Sequence, residues 1–290
     1  MSKKNNIAAV VVTFNRLNLL KKCIDGIRNQ SYKYFDVIIV NNGSSDGTEE
    51  WLNSQKGIFL INQENKGGAG GFYTGMKAAY NAGYEWVWLM DDDGVPGKSQ
   101  LQMLVEGCHK HNVKFANALV CNKDKPEELA FELYDEGKLI KNVSEATMKE
   151  TIDSINPFNG TIIHRDVIQK IGFVKREMFI WGDETEYNQR ARINGFKRVT
   201  ITSAIHNHPA NKKKTQTIIP FINKGHISIA PPKISHVFYR NIGFIYHFYF
   251  KQREYKIFLY YFASFALRLN CIELFKFVKY FNQGRHNIFN

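Results

Sequence analysis

"EWVWLMDDDG" (residues 85–94) joins an apolar run to three consecutive carboxylates, Asp91, Asp92 and Asp93. The apolar part has the length and composition of a strand buried on both faces. "IAAVVVTF" (7–14), "FDVIIVNNGSS" (35–45) and "GIFLINQ" (57–63) repeat the pattern upstream: a hydrophobic strand, then a polar segment. Between them, Leu17, Leu20, Ile24 and Ile27 recur at helical spacing, and "NKGGAGGFYTGMKAAYNAGY" (65–84) reads as a glycine-rich loop running into a helix. Strands alternating with helices predict a doubly wound, mainly parallel sheet flanked by helices. In such sheets ligands bind beyond the carboxyl ends of the strands. Residues 13–15, 41–44, 65–71 and 91–93 all follow a strand, so they are expected along one edge.

Further along, "NKDKPEELAFELYDEGKLIKN" (122–142) reads as a surface insertion and loop, and "NPFNGTIIHRDVIQKIG" (156–172) as strand then helix. "MFIWGDETEYNQRARINGF" (178–196) is an apolar entry, an acidic turn and a helix. "KRVTITSAIHNHP" (197–209) is a strand ending in two histidines. Beyond Pro209 the composition turns basic and then aromatic, which places a boundary near 210: a catalytic domain at 1–210 and a helical appendage at 211–290.

The 290 residues and 44% hydrophobic content suffice for a large core and exclude global disorder. Four scattered cysteines, with no CxxC, suggest reduced cytoplasmic thiols rather than disulfides or a zinc site. No apolar run reaches membrane-spanning length, and the short N-terminal one reads as a first strand rather than a signal. Residues 211–290 hold 13 Lys and Arg against two acids, whereas residues 1–210 hold 26 against 25. A basic, aromatic tail points to an anionic surface as partner.

Three constellations carry candidate chemistry. Asp91 and Asp93, or Asp92 and Asp93, present oxygen ligands to a hard divalent cation that would offset their repulsion, although Asp and Gly also make ordinary turns. His206 and His208 lie two apart on a strand, hence on one side, and either offers nitrogen to the same ion. Asp183, Glu184 and Glu186 stand at a helix start, where acids complement the dipole; the same carboxylates suit a general base, and composition alone favours the dipole. The glycines after Asn65, Gly68 among them, allow backbone amides to approach a phosphate or sugar. The segment matches neither common nucleotide-loop signature.

Taken in order, "VVVTFNR", "VIIVNNGSSDGT", "NKGGAGGF", "WLMDDDG", "WGDETEY" and "HNHP" resemble the family 2 inverting glycosyltransferases of GT-A fold (nucleotide-diphospho-sugar transferases) over about residues 7–210. The glycine and aspartate forms are most similar to its galactofuranosyltransferase and rhamnosyltransferase branch. The resemblance implies that Thr13, Phe14, Asn15 and Arg16 contact the nucleotide, and that Asn41 stands where an Asp usually pairs with the base. It also implies that Asp91, Asp93 and a histidine (His208 or His206) bind Mn2+ or Mg2+ and the donor diphosphate; Asn65 and Gly68 of the glycine-rich loop are expected beside the donor, and Asp92 either touches its ribose or sugar or caps the turn. Glu184 falls on the base position and Asp183 on the acid before it; Trp181 would lie near the acceptor sugar.

The expected activity is metal-dependent transfer with inversion from a nucleotide-sugar, UDP-galactofuranose first and dTDP-rhamnose second. The expected acceptor is a glycan, lipid-linked by resemblance, in cell-surface polysaccharide synthesis. The tail would then hold the protein at the inner face of the cell membrane, with no role in nucleic-acid binding. Two alternatives remain: a non-catalytic nucleotide-sugar or glycan binding module, which needs no base, and a nucleotidyltransferase.

Overall fold

The computed structural model describes residues 6–210, 214–222 and 225–289. Strands β1 (Ile7–Thr13), β2 (Phe35–Asn41), β3 (Ile58–Asn62) and β4 (Trp86–Asp91) run parallel in the order β3-β2-β1-β4. Helices α1 (Leu17–Arg28), α2 (Thr48–Asn53) and α3 (Gly67–Asn81) connect them. Every residue of β1 is buried because the strand is covered on both faces. Ala9 and Val11 share a core with Leu20 and Ile24 of α1. Val10 and Val12 face α3, and that contact explains two glycines. A Cβ on Gly71 would stand 2.3 Å from Val12 Cγ1, and one on Gly75 2.3 Å from Val10 Cγ1. The glycine-rich segment is therefore largely the first turns of a helix pressed onto the sheet, rather than the loop its composition predicts.

The sheet continues through β5 (Val95–Pro96), α4 (Gln100–Lys110), β6 (Phe115–Asn122), β7 (Lys125–Asp135), β8 (Lys138–Asn142), α5 (Val143–Ala146), β9 (Thr151–Ile152), β10 (Asn159–His164), α6 (Arg165–Ile171), α7 (Asp183–Ile193) and β11 (Val199–His208). Its order is β3-β2-β1-β4-β10-β6-β11-β5. The β6–β11 pair is parallel, while β10 lies antiparallel between β4 and β6. The stretch expected to be an insertion and loop is instead the hairpin β7–β8, paired antiparallel about Glu136-Gly137, both with positive φ.

The chain divides into two compact units. One runs to Arg176 and resumes at Tyr187; the other combines Glu177–Glu186 with the C-terminal chain. The second unit contains β12 (Thr215–Thr217), β13 (His226–Ser228), α8 (Ser235–Tyr249), α9 (Lys251–Ala266) and α10 (Cys271–Arg285). Its core is aromatic: Tyr239, Tyr261, Phe265, Phe277 and Phe281 are all buried. Helices α8 and α10 meet backbone to backbone at Gly243 and Gly284, where a Cβ would come within 2.1 Å of the Phe281 carbonyl and 1.9 Å of the Arg240 carbonyl. Lys212, Lys213 and Lys224, part of the basic excess, lie outside the described residues.

Candidate active site at the carboxyl edge of the sheet

Strand register sets the edge. Thr13 lies opposite Asn41, Asn41 opposite Asn62, and Val12 opposite Asp91. The acids that follow Asp91 therefore emerge beside the end of β1. Asp92, 2% exposed, accepts a hydrogen bond from Thr13 Oγ1 at 2.7 Å and one from Arg16 Nη1 at 3.2 Å. Burial raises the Asp92 carboxyl above its usual range despite both donors. Arg16 Nη1 also reaches Asp93 Oδ2 at 2.9 Å, and His208 Nε2 stands 3.0 Å from Asp93 Oδ1. Burial works against the Asp93 charge, but His208 and Arg16 outweigh it and hold the carboxyl below its usual range.

The two histidines have different surroundings. His208 Nδ1 lies 2.7 Å from the Pro209 carbonyl, which only accepts, so that nitrogen carries the proton. In a neutral ring Nε2 is then a lone pair aimed at a carboxylate, an arrangement that a proton or a cation between them resolves. His206 is 0% exposed; its Nδ1 faces Gln100 Oε1 at 3.1 Å and its Nε2 presses on Gly94, where a Cβ would stand 2.1 Å away. Burial lowers its pKa to about 3. His206 thus differs from the expectation of an alternative metal ligand in its depth: its Nε2 is buried against Gly94 and makes no hydrogen bond among the described residues, and the ring does not face Asp93 as that of His208 does.

Among the described residues, no group of three or more His, Cys, Asp or Glu is gathered to hold a metal. Asp91, Asp93, His206 and His208 therefore do not converge as one shell. The smaller donor set of Asp93 and His208, a carboxylate facing an imidazole nitrogen, does fit a divalent cation whose remaining positions belong to phosphate and water. Asp91 is half-buried at the end of β4, and its carbonyl meets Cys23 Sγ at 3.8 Å.

The nucleotide side is a net of asparagines. Asn15, at φ 52°, accepts from the Ser45 amide at 2.7 Å and donates its own amide to Ser44 Oγ at 3.0 Å. Phe14 beside it is 41% exposed. Asn41, expected to meet a base, is 1% exposed, with its side chain donating to Asn62 at 2.9 Å and accepting from the Ser44 amide at 3.1 Å. It shapes the loop from inside rather than facing outward. Asn42 ties the next strap. Its amide donates to Asn65 Oδ1 at 3.2 Å and the Gly67 carbonyl at 2.9 Å, and its oxygen accepts from Gln63 at 2.8 Å and the Lys66 amide at 3.1 Å. Gly68 is open, with nothing within 4 Å of a Cβ built there.

In the second unit, Phe179 (φ 65°), Trp181 (φ 62°) and Gly182 (φ 86°) bend the chain into the start of α7. Left-handed backbone at two bulky aromatics is strained and persists only where surroundings enforce it. Asn241 on α8 donates to the carbonyls of Met178 (2.8 Å), Ile180 (3.0 Å) and Trp181 (2.8 Å). Glu184 Oε2 accepts from the Gly182 amide at 3.1 Å. Asp183 is 4% exposed, whereas Glu184 is only half-buried.

Residues 8–172 match the family described as Glycosyl transferase family 2. The chain belongs to glycosyltransferase family 2. The glycosyltransferase is 30% identical over 258 residues to the galactofuranosyltransferase GlfT1 of Mycolicibacterium smegmatis, covering 84% of each chain. Its fold is similar to S. aureus TarS 1-349 (TM-score 0.58, 14% identity, 96% of this chain and 80% of that one). It is also similar to the mannosyltransferase PcManGT of Pyrobaculum calidifontis, solved with GDP-Man and Mn2+ (TM-score 0.52, 16% identity, 96% and 74%). The fold is GT-A and the protein is an enzyme, so the binding-module and nucleotidyltransferase alternatives fall away. The family match ends before Trp181, so the strained turn and its acids lie outside it. Asn42 and Ser44 lie in the 41–44 segment expected at this edge, whereas Gln63 and Gln100 were absent from the expected site. Nothing in the sequence marks Gln100, which is distant in the chain from His206.

Proposed function

We propose that the enzyme transfers galactofuranose from UDP-galactofuranose to a glycan acceptor, with inversion and with the help of a divalent cation. Galactofuranose takes first place over rhamnose because of the relative that spans most of this chain. The observation that carries the cation is His208, whose protonated Nδ1 leaves Nε2 directed at Asp93. Asp93 and His208 would hold Mn2+ or Mg2+, which when bound stabilises the charge of a departing diphosphate. Thr13 and Arg16 fix Asp92, Arg16 adds positive charge toward the phosphates, and Phe14, Asn15 and the Asn65–Gly68 strap border the nucleoside. Glu184, more accessible than Asp183, takes the proton of an acceptor hydroxyl. That oxygen attacks the anomeric carbon from the face opposite the diphosphate. The bond to the diphosphate breaks and its electron pair leaves with the nucleotide. Trp181 offers an aromatic face to the acceptor sugar. A thermal-shift titration tests the donor site. UDP-galactofuranose with Mn2+ should raise the melting temperature of the wild type but not of Asp93→Ala. An equal rise for Asp93→Ala, or in chelator, would contradict the assignment.

The lipid-linked acceptor and a resting place at the inner face of the cell membrane form part of the same reading. Support comes from the second unit. Tyr255, Leu259 and Phe262 are 74%, 41% and 41% exposed at helical spacing on α9, beside the exposed cations Lys251, Arg253 and Lys256. Apolar side chains bordered by Lys and Arg suit an anionic bilayer surface. Among the described residues no helix is long and apolar enough to cross a membrane.

A further inference from the structure

The helix α8 presents one face to the segment that carries the acids. Phe238, Asn241, Ile245 and Tyr249 recur at three- and four-residue spacing. Phe238 meets Trp181 edge to face, with ring centroids 5.8 Å apart. Ile245 Cδ1 would stand 2.6 Å from a Cβ on Gly182. Tyr249 donates its hydroxyl to Glu186 Oε1 at 2.8 Å. Asn241, 1% exposed, shares its two amide hydrogens among three carbonyls of the turn, those of Met178, Ile180 and Trp181, and Arg240 adds a bond to the Glu177 carbonyl at 2.9 Å. Without Asn241 the carbonyls of Ile180 and Trp181 would lose its amide as donor, whereas that of Met178 keeps a bond from the Ile180 amide at 2.7 Å, and the positive φ of Phe179 and Trp181 would relax.

One peptide group links this clamp to the acid. The carbonyl of Trp181 accepts from Asn241 at 2.8 Å, and the N–H on the other end of the same peptide, that of Gly182, donates to Glu184 Oε2 at 3.1 Å. Accepting a bond at the oxygen polarises the N–H and strengthens what it donates. We propose that Asn241 is a positioning residue for the transfer step, holding Glu184 in place through the Trp181–Gly182 peptide. The proposal rests on the reading of Glu184 as base. It gives α8 a part in holding Glu184.

Asn241→Asp keeps the size of the side chain and removes the amide donors. Two readouts on the full chain decide the matter. Amide hydrogen exchange should accelerate at least tenfold within residues 177–186 and stay unchanged in β1 and β4. Turnover number should fall at least tenfold while the affinity for UDP-galactofuranose stays within twofold. Unchanged exchange overturns the clamp, with or without an active assay. Faster exchange with undiminished turnover, or equal losses of turnover and donor affinity, overturns the positioning role. If Asn241→Asp does not fold, Asn241→Ser, which likewise lacks the amide donors, replaces it, with the same split expected. Loss of turnover in Asn241→Asp alongside an active Glu184→Gln would sink the base assignment instead. A wild type without turnover would sink the transferase reading, and exchange would still judge the clamp.

Discussion

At the residue scale, the site depends on how one buried carboxylate is kept. Asp92 is almost wholly removed from water, and burial alone would disfavour its charge. Thr13 Oγ1 and Arg16 make the position tolerable. Thr13→Val keeps the shape and removes the donor, so unfolding in urea should show a loss of about 1–3 kcal/mol. A variant as stable as the wild type would mean that water or Arg16 replaces the bond without cost. The triplet "DDD" announced a charged site, but the sequence did not divide the work within it. Asp92 is the buried member, held by Thr13 and Arg16, and Asp93 faces His208. The choice between His206 and His208 was equally closed to sequence reading, because residues two apart on a strand share a side. What separates them is depth: Gln100 and Gly94, from elsewhere in the chain, enclose His206.

At the scale of elements, the alternation of strands and helices through residue 91 was legible, because a parallel sheet covered on both faces leaves continuous apolar runs. The glycines of 67–75 misled, since composition does not distinguish a loop from a helix lying close on a strand. Gly71→Ala should therefore cost about 1–3 kcal/mol by overpacking against Val12. A neutral or stabilising result in thermal unfolding would show that β1 yields. The β7–β8 hairpin was hidden by its charges and by an irregular register, which sets its buried positions Ala130 and Leu133 three apart rather than two. In the second unit, Glu273 accepts from Tyr239 at 2.8 Å and Lys276 at 2.9 Å. Burial works against its charge, but these donors prevail and hold its carboxyl below the usual range. A lowered folded value adds stability that is present above the unfolded value and is lost as pH falls through the folded one. Stability should thus decline below about pH 4.5, and Glu273→Gln should flatten that decline. An identical pH profile for the variant would remove Glu273 from the explanation.

At the scale of the molecule, the change of composition near residue 210 pointed to a second unit. It did not show that residues 177–186 group with that unit, because the contacts responsible join segments distant in sequence. The tail also has a charge and an apolar stripe that the catalytic fold does not require. Replacing Tyr255, Leu259 and Phe262 together with serine should abolish sedimentation with anionic phospholipid vesicles and leave donor binding intact. Undiminished sedimentation would refute the membrane role of α9. The central claim concerns the chemistry itself. It is tested most directly by incubating the enzyme with UDP-galactofuranose, a glycan acceptor and Mn2+, and reading the new linkage by NMR. The account predicts a single galactofuranosyl linkage of anomeric configuration opposite to the donor's, formed only with the cation present and lost in Asp93→Ala. A product of retained configuration, or full turnover in excess chelator, would contradict it.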